Sequence, residues 1–589
     1  GGGGGGGSGG GGAGKLKQHN GLAHGHSSTL DLKRKRVNPD GARNISDLLQ
    51  ESAVLTSLDL SENSIGDEGA GHLAVALQEN GSLMTLRLRQ NCVGAVGARE
   101  LGEALRTNSG LTYLDLAWNN IVGKGVRYLM KGLKENSSLT HLSLNKNHIG
   151  DDGARYVAEA LPGLGALARL DLEENAILVF GGERLGEALA QSGLKELSLR
   201  ENAVGKKGAQ RISDALRGNA SLTQLDLRDN GLGAKGGQFV GEALEHNASL
   251  ARLDLATNAL GADGAQHVCG ALRRKNSALQ RLVLADNGIG DAGMRFVCDA
   301  LLKNITLTHL DLRGNDISYA GTHDLAAALR ENAGLTHLDL SQNHAGLNGA
   351  KSLGKTLAVN QCLERLELGG NCLESEGGQH IGQALQVNQT LTTLVLTGNY
   401  LGIEGAQHLA EGLKKNRSLT YLDLQDNALR PEGARHLAEA LRQNAALAEL
   451  GLAENSLGAL GVRHLADALQ TNVTLSKLDL RFNLLGAEGA AHLGEALAKG
   501  GAGVAQIDLR GCHIGSEGPN HLWKGLSGRP AGVPFCELLG VAFDKAADMP
   551  QDLKGGDDDE IKEYLVKRAE TKAAKATSGG GGCRVACWG

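Results

Sequence analysis

Leu111–Leu139 reads LTYLDLAWNNIVGKGVRYLMKGLKENSSL, and the chain repeats that plan from end to end. Leu55–Leu83 reads LTSLDLSENSIGDEGAGHLAVALQENGSL, and Leu419–Leu447 reads LTYLDLQDNALRPEGARHLAEALRQNAAL. The first half is LxxLxLxxNxL; the second is GxxGAxxLxxAL followed by Asn. In the LDL core alternate residues point to opposite faces, which is strand periodicity. Ala70, Leu73, Ala74 and Leu77 then fall at helical spacing as an apolar stripe. One unit is therefore a short strand, a turn and a helix.

The Asn that closes the strand half fixes the count. It recurs at Asn63, Asn91, Asn119, Asn147, Asn175, Asn202, Asn230, Asn258, Asn287, Asn315, Asn343, Asn371, Asn399, Asn427, Asn455 and Asn483, with steps of 28 but for one of 27 and one of 29. Lys35 holds the slot in an irregular first unit and Cys512 in a last one, giving about 18 repeats over 29–528. A unit this small cannot bury its own apolar face, so neighbours must stack. Stacked parallel strands sit about 4.8 Å apart, whereas helices need about 10 Å. The expectation is an α/β fold: a right-handed solenoid with a parallel concave sheet and helices on the convex side. The Asn amide is expected to face inward and satisfy turn backbone. A second asparagine set, Asn80, Asn108, Asn136, Asn219 and Asn247, sits where helices end, and a left-handed cap is expected there.

The Leu ladder with sixteen in-register Asn resembles the leucine-rich repeat family, in its long ribonuclease-inhibitor-like class. Similar repeats occur in ribonuclease inhibitor, in Ran GTPase-activating proteins and at the C-termini of NOD-like receptors. The resemblance implies a horseshoe and a protein-binding role. It leaves a GTPase activator as the alternative, although the Arg-Asn-Arg-Leu-Glu-Asn run of the Ran activators is absent and Arg200-Glu201-Asn202 is a loose echo. Residues 549–570, MPQDLKGGDDDEIKEYLVKRAE, resemble the connector before the Ras-like domain of some algal and protist repeat-GTPase proteins, which implies a repeat domain severed from its GTPase.

Composition narrows the rest. Of 589 residues 87 are Gly and 7 Pro, aromatics are 3%, and 60 basic against 66 acidic residues leave a net charge of −6. Neither a basic footprint nor an aromatic stacking groove for nucleic acid is present. No apolar run of about 18 residues is long enough to span a bilayer, so no membrane insertion is expected. Nine scattered cysteines, without a CxxC pair, suggest neither zinc site nor disulfide framework, and free thiols suit a reducing cytoplasm. Lys33-Arg34-Lys35-Arg36 has the form of a nuclear import signal, or of a polar capping unit. Residues 1–28 read as a glycine-rich linker, 529–577 as a C-terminal cap with an acidic-start helix over Asp557–Ala576, and 578–589 as a tail.

Several motifs imitate chemistry. Gly349–Thr356, GAKSLGKT, matches the phosphate-loop pattern, but it falls inside a repeat helix whose amides are already bonded. His380, His408, His436, His464, His492 and His521 form a column at one slot, too widely spaced for a shared metal. Asn136-Ser137-Ser138 and Asn219-Ala220-Ser221 match glycosylation sequons that the repeat itself generates. No catalytic, cofactor or metal residues are assigned, and an enzyme is not expected.

The outward strand positions carry the functional reading. A mostly acidic column (Asp59, Asp115, Asp171, Asp226, Asp254, Asp311, Asp339, Glu367, Asp423, Asp479, Asp508) lies between columns holding Tyr113, Arg169, Arg252, Arg281 and Tyr421 on one side and Arg89, Arg200 and Arg228 on the other. Lateral ion pairing is expected. The face is either a self-neutralised solvated surface or a polar docking surface for a protein partner. Exposed Tyr113, Trp118, Tyr421 and Phe482 break an otherwise aliphatic pattern and are candidate anchors. The expected function is a non-enzymatic scaffold or sensor, resembling NOD-like receptor repeats, whose partner is an unidentified protein or a small GTPase.

Overall fold

The computed structural model describes residues 28–500 apart from 275 and 277, together with 503–529, 536–541 and Tyr564. The glycine-rich segment 1–27 and the tail 578–589 lie outside the described residues, as does the helix expected over 557–576 except for Tyr564. The chain forms two units, divided after Ile289. Among the described residues the first holds ten strands, from Thr29–Asp31 to Arg281–Val283, and nine α-helices, from Pro39–Glu51 to Gly261–Arg274. The second holds nine helices, from Gly290–Leu301 to Gly518–Gly528, and nine strands, from His309–Asp311 to Glu537–Leu539. Each is an α/β solenoid in which strand and helix alternate along the chain. The last strand pairs Gln506↔Glu537 and continues the ladder past the last full repeat.

Every strand is three residues long and pairs in parallel with its sequence neighbour in the same phase, as in Tyr113↔His141 and Leu114↔Leu142. The middle leucine points into the core: Leu58, Leu86, Leu114, Leu366 and Leu422 are fully buried. They meet the apolar helix stripe, with Ala70 and Leu73 fully buried and Leu77 all but so. The two residues flanking each middle leucine are left on the outer face of the sheet. At a one-residue phase this short there is no alternative register that keeps leucine inside.

Between strand and helix the backbone turns sharply, and the rung asparagine takes up what the turn leaves unpaired. Asn119 donates through Nδ2 to the carbonyls of Leu88, Leu116 and Ala117 at 2.9, 2.9 and 3.2 Å. Its Oδ1 accepts from the amides of Asn91 and Val93 at 3.0 and 2.9 Å. One carboxamide thus serves its own turn and the turn of the preceding repeat, and the pattern recurs at Asn258 and Asn455. Cys512 shows what another side chain does in the slot. Its thiol reaches the Leu480 carbonyl at 3.0 Å, and its sulfur is only a weak acceptor for the Asn483 amide of the turn before it. The Leu485 amide bonds the Cys512 backbone carbonyl instead, at 2.9 Å.

The helix-end asparagines differ from expectation. None of Asn80, Asn108, Asn136, Asn219 and Asn247 has a positive φ; Asn80 is extended, at φ −80° and ψ 117°. The reason is a second ladder. Asn80 Nδ2 donates to the carbonyls of Leu49 and Ser52 in the previous repeat, at 2.7 and 3.0 Å, and Oδ1 accepts from the amides of Ser82 and Leu83 at 3.1 and 2.8 Å. That bonding closes the helix and starts the next strand, and it needs extended backbone. In the sequons, Asn136 and Asn219 commit their Nδ2 groups the same way. Left-handed backbone lies elsewhere, on the residue just before the rung: Glu62, Trp118, Lys146, Thr257 and Phe482 all have φ between 50° and 60°.

Small residues set the helix spacing. A Cβ on Gly382 would lie 2.3 Å from the His408 carbonyl oxygen, and one on Gly494 2.4 Å from the His521 oxygen. His380, His408 and His521 therefore pack through their backbone against glycine of the preceding helix, whereas Ala410, Ala438 and Ala466 hold that place before His436, His464 and His492. Burial, with neighbouring cations second, lowers the ring pKa of His380, His436 and His464. Gly349–Thr356 lies within the helix Gly346–Leu357, and Thr356 Oγ1 donates to the Ala326 carbonyl at 2.8 Å.

Two predictions follow from this packing. Asn287 Nδ2 donates to the Leu255, Leu284 and Ala285 carbonyls, and Oδ1 accepts from the Asn258 and Leu260 amides; Asn287→Leu leaves these buried groups unsatisfied and is expected to cost about 1–3 kcal/mol or more in urea melts. Glycine replacement should change sign with position. At Gly71 a new Cβ meets nothing closer than 3.8 Å, so Gly71→Ala is expected to stabilise by about 0.5–1 kcal/mol. Gly382→Ala, against fixed backbone at 2.3 Å, is expected to lower the melting midpoint despite the same helix-propensity gain.

Candidate functional site

The outer face of the sheets is built by the residues on either side of each buried leucine. Its central acidic column has a structural duty that lateral pairing does not describe. Asp59, Asp115, Asp171, Asp226, Asp254, Asp311, Asp339, Asp423, Asp479 and Asp508 each accept, through Oδ1, the backbone N–H two residues on, at 2.8–3.1 Å. This Asx turn bends the chain out of the strand. The recurring Asp two residues before a turn was the sequence signal for it. Burial raises the carboxyl pKa of Asp115, Asp311, Asp339 and Asp423. Asp508 goes the other way: burial pushes it up, but the Arg510 side chain and its own backbone bond outweigh that and lower it.

Ion pairs run both across and along strands. Arg169 meets Glu196 of the next strand at 3.1 Å, and Lys477 meets Glu449 at 2.8 Å. Arg365, Arg481 and Arg510 instead fold along their own strands onto Glu367, Asp479 and Asp508, at 2.7, 2.6 and 2.5 Å. Arg200 pairs with Glu201 at 2.8 Å and lies 3.9 Å from Glu173. Glu173, Glu174 and Glu201 bring carboxylate oxygens within 4.8 Å of one another. Arg200 and Lys146, the latter 2.5 Å from Glu174, supply the cations for that cluster.

The candidate residues gather in three places. In the first unit, the Arg89 guanidinium lies 5.2 Å and the Lys146 ammonium 3.9 Å from the centre of the Trp118 ring, which remains 42% exposed. Tyr113 lies under Arg87 at 5.3 Å and beside the His141 ring at 6.0 Å. These cation–π contacts hold the rings without covering them. Also in the first unit, Arg169, Arg200, Arg252 and Arg281 line one hollow of about 350 Å³ together with Asp171, Glu196, Gln224, Asp226 and Asp254. Arg228 stands next to it and donates its backbone amide to Asp226. In the second unit, Tyr421 lines a hollow of about 320 Å³ with Asp423, Glu449, Lys477, Asp479 and Arg481. Phe482 adjoins Arg481, 54% exposed, with its ring against Gly511.

Both hollows are polar, open and walled by charge, suited to side chains of a visiting surface rather than to a buried apolar ligand. Sequence reasoning missed a second exposed feature. Leu178, Val179 and Phe180 form a continuous exposed apolar run at a helix start, with the Arg184 guanidinium 5.1 Å from the Phe180 ring.

The family model described as a leucine-rich repeat matches residues 51–74, 107–130, 135–158, 218–241, 275–298, 303–322, 359–382, 387–410, 415–438 and 471–494. Among curated protein sequences none matches the chain. Of solved structures, an internalin from Listeria monocytogenes is similar at 20% identity, over 66% of this chain and 96% of the internalin chain, with a TM-score of 0.41. Ten matches in phase with the strand, the asparagine rung and the helix make this chain a leucine-rich repeat protein.

Proposed function

We propose that the chain is a non-enzymatic docking scaffold that binds a protein partner through the outer face of its sheets. Leucine-rich repeats in general serve as such scaffolds. The observation that carries the reading here is Trp118, an exposed indole held between Arg89 and Lys146 on left-handed backbone. Nothing in the repeat requires an aromatic at that slot, which holds Glu62, Lys146 and Thr257 in other units. Trp, Tyr and Arg together are the side chains that anchor interfaces. A helix in every repeat supports the ribonuclease-inhibitor-like subclass, and with it a sensing role of the NOD-like receptor kind. The cysteines support a reducing, cytoplasmic setting: Cys92 and Cys372 are exposed thiols outside any disulfide. In the described residues no helix is long and apolar enough to cross a membrane.

The test is cross-linking capture from lysate with wild type beside a Tyr113→Ala/Trp118→Ala double variant. Both rings lie outside the core, so the variant is expected to stay folded and to lose no more than about 2 kcal/mol of unfolding free energy with its cation–π contacts. Partners retained by wild type are expected to drop at least tenfold from the variant; identical partner sets overturn the reading. A captured Ras- or Ran-like GTPase whose GTP hydrolysis accelerates on adding the chain would move the reading to GTPase activation.

A further inference from the structure

On the first unit's sheet, two adjacent rows each set like charges side by side. Arg252 stands opposite Arg281, and Asp226 opposite Asp254. Like charges directly opposite one another on a sheet repel. The same hollow shows the alternative: Arg169 and Arg200 are satisfied by Glu196 and Glu201. Arg252 reaches the Gln224 amide oxygen at 3.4 Å, while neither it nor Arg281 forms an ion pair among the described residues, and both side chains are exposed. Asp226 accepts the Arg228 amide at 2.9 Å and likewise forms no ion pair among the described residues.

The charged groups facing Asp226 come from each neighbouring element. Asp254 and Arg252 lie on the following strand, Glu196 and Arg200 on the preceding strand and its turn, Glu173 one repeat further back, and Arg228 on its own turn. Burial first, then the Asp254 charge, outweigh the two guanidiniums and push the Asp226 carboxyl up to about 6. The hollow therefore offers cations that lack anions beside an anion that lacks a cation.

The spacing of the two rows defines what fits. Arg252 and Asp254 are two residues apart on one strand and share a face, a separation of about 6.6 Å at about 3.3 Å per residue. Side chains two apart on any extended segment also share a face, at the same spacing. We propose that this hollow binds an extended segment of the partner in which an Asp or Glu lies two residues from a Lys or Arg, the carboxylate seated between Arg252 and Arg281 and the cation against Asp226 and Asp254. Guanidinium pairs favour carboxylates through charge-assisted bonds, and the visiting cation relieves the repulsion between the two aspartates. This rests on the docking-face reading and supplies its chemistry.

Fluorescence anisotropy of the full chain with labelled AAEAKAA and AAKAEAA peptides tests it, against the same peptides carrying Gln for Glu or Gln for Lys. At pH 7.5 at least one order is expected to bind ten times more tightly than its controls. Arg252→Gln/Arg281→Gln, which alters only exposed groups and removes their mutual repulsion, should leave the melting midpoint no lower than wild type and weaken that peptide at least tenfold. The sign of the pH effect follows from Asp226: it is charged above about 6, so binding weakens as pH falls from 7.5 to 5.0, where the peptide's Glu is still ionised. Asp226→Asn should bind weakly at both values and lose most of that pH dependence. Doubly charged peptides binding no better than controls, or binding Arg252→Gln/Arg281→Gln as well as wild type, overturn the proposal. If that happens while Tyr113→Ala/Trp118→Ala still loses its captured partners, the docking face stands and this site falls; if neither holds, both fall.

Discussion

The buried carboxamide of asparagine is what lets this chain turn a corner every 28 residues without stranding its backbone. A turn inside a stack of turns has no water to bond. Its amides and carbonyls must find partners on the turns before and after it. Asparagine has a donor and an acceptor on a short stem, and Asn119 uses them to tie its own turn to the one before it. The helix-end asparagines do the same at the opposite edge, reaching 28 and 31 residues back. The solenoid is thus clamped by side-chain amides along both edges of its core, with leucine filling the space between. Cohesion is local: each rung speaks only to its neighbours, as expected where stability is a sum of nearest-neighbour terms.

That division of labour leaves the sheet face partly free. The inward leucines and the two amide ladders hold the fold. Of the outward residues only the aspartate column is drawn into it, through the Asx turn at each strand exit. The outer face is then open to vary without loss of the fold, and it does vary: the strand's first position runs through Ser57, Thr85, Tyr113, His141, Arg169, Glu196, Gln224, Arg252 and Arg281 in the first unit. A helix of these repeats has no such freedom on its packed side, where Gly382 and Gly494 admit no Cβ.

Much of this was legible in the sequence because a repeat displays each position many times. The strand, the rung, the helix and their phase all follow from period and composition. What periodicity reports, however, is that positions share an environment, not which atoms meet there. The helix-end asparagine is frequent both at left-handed caps and in extended turns, and only the partner 31 residues away decides between them. The aspartate column was visible as a column but read as a lateral ion-pairing surface, because its actual partner is a backbone amide that carries no sequence signature. The glycines that face the His380, His408 and His521 carbonyls were hidden for the same reason. Of the candidate site residues, the structure brings Arg169, Arg252 and Arg281, which share a column, into one hollow with Arg200 from the column on the other side of the aspartates.

Function in such a chain is to be sought where the repeat departs from its own average. A residue common to most units is explained by the unit. Asn at the rung and Leu in the strand therefore say nothing about a partner, however often they recur. A tryptophan where most units place a polar residue or glycine has no such explanation, nor do two arginines abreast where a neighbouring pair alternates in charge. Folding would be better served by alternation at Arg252 and Arg281, as it is at Arg169 and Glu196, since opposite charges across strands attract and like charges repel. On the docking proposal the complement of that repulsion lies on another molecule, and the strand's own two-residue spacing limits the shape that complement can take.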